Sequence, residues 1–217
     1  VYKRQALRLL AELPEEIIPT QQKLDFFYRS NVCYGRSALM LSGGGVLGFL
    51  HVGVVSELLR HGLLPRVISG SSAGSIVAAA LAAYTDEEMA ELDLIGLLES
   101  GEEESRGVIR QFVSLLGSRL TAEDTEQLIS ATIPDLTFAE AYAKTGRQVS
   151  ITVAPAEPHQ RSRLLNAVSS PNVYLRSAAM ASCAIPGVFP AVMLQAKNEK
   201  GEAQPYLPAR RWVDGSV

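Results

Sequence analysis

The chain has 217 residues, 47% hydrophobic and 20% charged, with 17 Gly and 11 Pro. That is ordinary globular usage, which excludes disorder, collagen and coiled coil, and the length suits one α/β domain with a real core. A net charge of -3 argues against a general nucleic-acid surface, and two cysteines, Cys33 and Cys183, make neither a disulfide framework nor a metal cluster.

In chain order, residues 1–13 read as an amphipathic helix with Leu7, Leu10 and Leu13 at helical spacing, stopped by Pro14. Its Tyr2, Lys3, Arg4 and Arg8 beside Leu7, Leu9 and Leu10 suit either a lipid surface or packing on its own domain. Thr20 caps a second helix carrying Leu24, Phe26, Phe27 and Val32. Ser37 to Leu41 is a short apolar run that breaks at Gly43-Gly44-Gly45, and residues 46–60 follow as a helix. Val67-Ile68 is a second short run ending at Gly70, and Ile76 to Tyr84 is a small-residue helix able to lie close against a sheet. That apolar run is the longest in the chain and falls far short of the roughly 20 residues of a membrane-spanning helix.

Thr85 to Lys144 reads as helices, with capping boxes at Thr85/Glu88, Thr121/Asp124 and Thr137/Glu140 and an exposed loop at Gly101 to Arg106. Gln148 to Ala154 alternates as a strand, with Arg163 to Val168 as its partner. Asn172 to Ala184 is a helix stopped by Pro186-Gly187. Pro190 to Gln195 and Arg211 to Val213 are late strands, and Lys197 to Pro205 is a polar, mobile loop. The strand-helix alternation implies an α/β fold with a mostly parallel sheet and helices on both faces. The domain division is a helical region over 1–36 and a catalytic domain over 37–217, with 85–144 as a helical insertion or cap. The chain starts at Val1, shows no signal peptide, and reads as a piece of a longer protein truncated at its C-terminus.

Gly70-Ser71-Ser72-Ala73-Gly74 fits G-x-S-x-G between a strand and a helix, the context in which a sharp turn lifts a serine above the strand end. The bland reading is a Gly/Ser loop that only caps the helix. Gly43-Gly44-Gly45-Val46-Leu47-Gly48 leaves several backbone N–H groups unshielded, a nest for an oxyanion or a phosphate. It also matches G-x-G-x-x-G, but a dinucleotide site needs an acidic residue about 20 positions on, where Val67, Ile68 and Ser69 stand. No Gly-Lys-Ser/Thr follows, so a Walker loop fails as well. An oxyanion hole beside Ser72 accounts for both loops better.

A serine nucleophile needs a base. No His follows Asp214-Gly215-Ser216, and the only histidines are His51 within a helix, His61 at a helix C-terminus and His159 in a loop. Asp214 is left by elimination, with the histidines still open.

The series strand-GGGxxG-helix, G-x-S-x-G and terminal D-G-S, in this order, resembles the patatin-like phospholipase family. The resemblance is closest to its triacylglycerol lipase branch, the lipid-droplet lipases of yeast and plant seeds. It is carried by CYGRSALMLS (33–42), LLPRVISGSS (63–72), SPNV (170–173), SCAIPGVF (182–189) and RWVDGS (211–216), and runs from about residue 20 to the end. The resemblance implies a three-layer α/β/α fold with a mostly parallel central sheet. It implies Ser72 as nucleophile and Asp214 as general base in a Ser-Asp dyad without His. Gly43, Gly44 and Gly45 become the oxyanion hole, with Gly48, Gly70, Gly74 and Gly215 as motif glycines. It implies no cofactor, no metal and no nucleic acid. The expected partner is lipid substrate at a membrane or lipid-droplet surface, with the protein cytoplasmic or peripheral there. Many members have Lys or Arg where this chain has Leu47, and the missing cation fits a neutral acylglycerol better than an anionic lipid. Phospholipase A or lysophospholipase activity is the alternative, and a catalytically silent lipid- or partner-binding module is the rival class. Phe112, Leu115, Leu116, Phe189 and Met193 are candidates to line an acyl channel or to be ordinary core.

Overall fold

The computed structural model describes residues 2–33, 37–91, 121–157 and 159–215. The chain forms two compact units, Val1–Ser37 and Ala38–Val217. The first holds helices α1 (Tyr2–Glu12) and α2 (Thr20–Cys33). Between them Pro14 turns the chain, its carbonyl accepting from the N–H groups of Ile17 and Ile18.

The second unit begins with β1 (Ala38–Leu41), a 3₁₀ turn (Gly45–Gly48) and α3 (Phe49–Arg60), followed by β2 (Val67–Gly70), α4 (Ala73–Ala83) and α5 (Asp86–Glu91). Then come α6 (Ala122–Thr132), α7 (Phe138–Thr145), β3 (Gln148–Pro155), β4 (Arg163–Asn166) and α8 (Leu175–Cys183). Strands β5 (Gln195–Lys197), β6 (Ala203–Pro205) and β7 (Trp212–Asp214) finish it. The central sheet runs β1-β2-β3-β4, with β7 also paired to β3. β1, β2 and β3 are mutually parallel, while β4 and β7 join β3 antiparallel. The architecture is the expected α/β class, a mostly parallel central sheet packed by helices, consistent with three layers.

The register of β3 locates everything that matters later. Val153 pairs with Arg163 of β4 and also with Asp214 of β7, so these two strands occupy opposite edges of β3. β4 also pairs with Ser150 and Ile151, which face β2 on the other edge. A strand has only two edges, so β7 continues the edge begun by β2.

Helix α4 is almost wholly apolar and small, with Ala78, Ala79, Leu81 and Ala83 fully buried. Small side chains let it approach the sheet closely: a Cβ on Gly70 would lie 2.4 Å from the Gly74 carbonyl oxygen and 2.8 Å from Ala78 Cβ. Ile68, Ile151, Val153, Leu175 and Trp212 complete the core beneath it. The buried Arg147 closes the far end of α4, donating from Nη1 to the carbonyls of Leu81 (2.8 Å) and Tyr84 (2.6 Å) while Nη2 meets Asp86. All three expected capping boxes form, each with the threonine hydroxyl accepting from the third N–H and the carboxylate accepting from the threonine N–H. Gly146, at φ 65°, ends α7 in the left-handed conformation.

Four expectations are corrected. Lys197 to Pro205 is not a loop but the β5–β6 hairpin, with Asn198 Oδ1 accepting from the N–H groups of Lys200 and Glu202 to close the turn. The strand expected at Pro190 to Gln195 reduces to its last residue, because Val192 makes only a single bridge, to Trp212. Helix α8 starts at Leu175 rather than Asn172, since Val173 and Tyr174 are taken by bridges to Ala196 and Thr137. The helix expected over 46–60 is a 3₁₀ turn followed by α3. The loop at Gly101 to Arg106 lies outside the described residues. Among the described residues no helix is long and apolar enough to cross a membrane.

Candidate active site

Ser72 stands where β2 turns into α4, at φ 51° and ψ −129°. A residue with a side chain adopts such angles only where its surroundings over-determine them, a hallmark of the strand-turn-helix elbow. The surroundings are visible. The Ser72 carbonyl accepts from the N–H (2.8 Å) and hydroxyl (2.6 Å) of Ser75. Its N–H donates to Ser182 Oγ at 2.9 Å, and Ser71 N–H donates to the Leu41 carbonyl at 3.1 Å. Gly74 must be glycine for the bend to seat, because a Cβ there would lie 2.2 Å from the Leu41 carbonyl oxygen.

The glycine loop passes directly alongside. A Cβ on Gly43 would sit 3.0 Å from Ser72 Cβ and 3.6 Å from Ser72 Oγ. Gly44 (φ 149°) and Gly45 (φ 55°) then adopt angles that side chains rarely tolerate. None of the three N–H groups has a partner among the described residues. A Cβ on Gly48 would lie 2.9 Å from Ala73 Cβ, so the loop also packs against the start of α4.

Asp214 ends β7 and is 1% exposed. Gly70 pairs with Ile151 and Asp214 with Val153, two residues further along the same edge of β3. Its N–H donates to the Ala184 carbonyl at 2.9 Å. Gly215 follows because a Cβ there would come within 2.4 Å of the Thr152 carbonyl. Beside this carboxylate, Cys183 is 8% exposed. Burial, with a smaller push from Asp214, holds its thiol up to about 12, while the nearby Ser75 hydroxyl works the other way.

Among the described contacts none of the histidines touches Ser72 or Asp214. His51 Nε2 is engaged with the Ser42 carbonyl at 2.8 Å. His61 sits at the end of α3 with Glu57 and Arg60, and Arg60, acting first, holds the Glu57 carboxyl down to about 2. His159 is in a loop at φ 64°. Among the described residues no cluster of His, Cys, Asp or Glu could hold a metal ion.

Ser72 opens into an apolar cavity whose wall includes Gly45, Gly48, Ile76, Leu128, Ile185 and Phe189. A smaller cavity shares Thr125, Cys183 and Phe189 and extends to Met180 and Val192. Leu128 and Thr125 belong to α6, so that helix forms part of the wall. Of the expected channel residues Phe189 lines both cavities and Met193 neither, while Phe112, Leu115 and Leu116 lie outside the described residues. Exposed apolar side chains adjoin the lining residues in sequence: Leu47, next to Gly48, is 62% exposed and Val188, next to Phe189, is 65% exposed. Sequence reasoning missed Ser182, Cys183, Ile76 and Leu128. The only signal was position, with Ile76 one helical turn beyond Ser72 and Ser182 inside a block that carries the resemblance.

Residues 39–217 match the family model described as patatin-like phospholipase. Triacylglycerol lipase SDP1L of Arabidopsis thaliana is 37% identical over 236 residues, covering 97% of this chain and 28% of the relative. Triacylglycerol lipase 4 of Saccharomyces cerevisiae is 38% identical over 231 residues, covering 100% of this chain and 25% of the relative. The chain thus spans about a quarter of the length of these curated relatives. Among solved structures, ExoU of the Pseudomonas aeruginosa type III secretion system, in complex with SpcU, aligns over 71% of this chain and 38% of that one, at TM-score 0.42 and 24% identity.

Proposed function

This chain belongs to the patatin-like phospholipase family, and we propose that it is a serine lipid acyl hydrolase that cleaves carboxylic esters of acylglycerols through a Ser-Asp dyad. The observation that carries the reading is the strained elbow at Ser72 with the glycine loop against one side and the buried Asp214 on the adjoining strand edge. In this mechanism Ser72 Oγ attacks the ester carbonyl while its proton passes to the Asp214 carboxylate. The N–H groups of Gly43, Gly44 and Gly45 take the negative charge that builds on the carbonyl oxygen. One such donor is typically worth about 10²–10³ in rate. The proton then goes to the departing alcohol, leaving an acyl ester on Ser72. Asp214 next accepts a proton from water as hydroxide attacks the acyl carbonyl, gives that proton to the Ser72 oxygen as it is displaced, and the free acid leaves.

The preference for a neutral substrate is supported by the exposed apolar side chains of Leu47 and Val188. The same side chains favour work at a lipid surface, where a long acyl chain enters the cavity without crossing water. The names of the relatives point the same way.

Fluorophosphonate labelling of Ser72, followed by a panel of triacylglycerol, diacylglycerol, phosphatidylcholine and lysophospholipid, tests this reading. Labelling with preferential acylglycerol cleavage is expected. Faster release of fatty acid from phospholipid transfers the assignment to a phospholipase A, and a serine that takes no label leaves a binding module.

A further inference from the structure

The hydroxyl of Ser182 is completely buried and uses both of its hydrogen-bonding capacities. It accepts from the Ser72 N–H at 2.9 Å and donates to the Thr152 carbonyl of β3 at 2.7 Å. Few side chains of this size can do both at once: alanine does neither, and a thiol does each weakly. Ser72 therefore has its carbonyl held from within α4, by Ser75, and its N–H held from across the domain, by Ser182. That second tether matters because φ and ψ of Ser72 lie outside the favourable regions and relax unless both flanking peptides are fixed.

The same short segment also reaches the carboxylate. Two residues after Ser182, the Ala184 carbonyl accepts the Asp214 N–H at 2.9 Å. Cys183, between them, lines the cavity that Ser72 opens into. Thr152, whose carbonyl accepts from the Ser182 hydroxyl, is the residue against which Gly215 packs. The end of α8 is thus a spacer contacting the peptide of Ser72 on one side and that of Asp214 on the other.

We propose that Ser182 is a positioning residue for the reaction: it holds the Ser72 backbone in its strained conformation and, through Ala184, in fixed relation to Asp214. This rests on Ser72 being the nucleophile. It also commits the Ser72 N–H to Ser182, which leaves oxyanion binding to the glycine loop.

The experiment compares wild type with Ser182→Ala, Ser182→Cys and Ser182→Thr. It measures the rate constant for fluorophosphonate labelling of Ser72, kcat and KM on a soluble short-chain ester, and thermal melting. Misplacement of the hydroxyl predicts that Ser182→Ala slows labelling and kcat by about 10- to 100-fold with KM little changed. Every folded molecule still labels to completion. Ser182→Thr, which keeps the hydroxyl, returns most of the rate. Ser182→Cys, which keeps the volume, is slowed even where Ser182→Ala does not fold. A folded Ala or Cys variant that melts earlier yet labels at the wild-type rate overturns the proposal and leaves Ser182 as packing alone. Wild-type protein that takes no label removes the catalytic reading itself, and the positioning role with it.

Discussion

Asp214 stands two residues beyond Gly70 on a single edge of β3, Gly70 facing Ile151 and Asp214 facing Val153. At about 3.3 Å per strand residue the two positions are about 7 Å apart along the edge. Gly70 is the last residue before the elbow, so the carboxylate ends its strand where the serine begins its helix. A parallel sheet alone does not do this. It takes an antiparallel strand, arriving from the opposite direction, to deliver its final residue to the C-terminal end of β2.

Replacing either partner tests that relationship. Ser72→Ala and Asp214→Asn are each expected to lower ester turnover by about 10⁴-fold or more, as losses at a nucleophile or its base generally do. Both changes nearly preserve volume, so circular dichroism and melting should match wild type. Near-normal turnover in Asp214→Asn would return the histidines to consideration.

Two glycine substitutions should separate chemistry from folding. Gly43→Ala brings a methyl within 3.0 Å of Ser72 Cβ, a contact eased by a small shift of the serine. The expected result is a folded protein with kcat reduced about 10²-fold, a typical effect of displacing a reacting group by a fraction of an ångström to 1 Å. Gly74→Ala puts its methyl 2.2 Å from the Leu41 carbonyl oxygen, which is backbone and cannot swing away. Helix propensity alone would favour alanine there by up to about 1 kcal/mol. A loss of about 3 kcal/mol or more in urea unfolding is expected instead, from the clash. A Gly74→Ala protein as stable as wild type would mean that β1 and α4 are further apart than described.

Arg147 gives a purely structural prediction. Arg147→Met fills similar volume but orphans the carbonyls of Leu81 and Tyr84 at the end of α4. An unsatisfied buried acceptor costs about 1–3 kcal/mol, so a loss of about 2–4 kcal/mol is expected. Asp86→Ala should cost less than about 1 kcal/mol, because that carboxylate is 61% exposed. Denaturant titration of the two variants checks the order.

Cys183 predicts a pH dependence. Its thiol is held up to about 12, against an ordinary value of 9.0. The folded state therefore keeps the proton longer than the unfolded chain does. The stabilisation is complete below about pH 9 and is lost as pH climbs toward about 12. Cys183→Ala, compared with wild type across that range, should flatten the alkaline loss of stability. At pH 8 the peptide containing Cys183 should stay unmodified by iodoacetamide until denaturant is added, since only the thiolate reacts. Rapid alkylation of the native protein would contradict this burial.

What could be read from the residues alone was what short-range chemistry dictates. Glycine density marked both turns at the site, because Gly43 and Gly74 sit where a Cβ collides with backbone or with the serine. The capping boxes were legible because each is closed within four residues. Gly215 was legible as part of Asp-Gly, although its reason, the close passage of Thr152, was not. The β5–β6 hairpin was hidden because its strands are short, polar and stabilised by contacts with Val173 and Tyr174 rather than by their own pattern. Ser182 was hidden more deeply. In a run of Ala, Ser and Cys it reads as helix filler, and its two partners come from β3 and the elbow. Likewise a sequence cannot tell a residue such as Leu128 on a cavity wall from one in solid core.

Because β7 follows the other strands of the central sheet in the chain, the order of synthesis has a chemical meaning. A ribosome that has released β1 through α8 has already made the elbow, the amide loop and the segment that tethers Ser72, but not Asp214. On the proposed pairing, the nascent chain carries an inert serine until Arg211 to Asp214 emerge and zip onto the free stretch of β3. On the same pairing, reactivity toward esters requires β7 to be in place on β3.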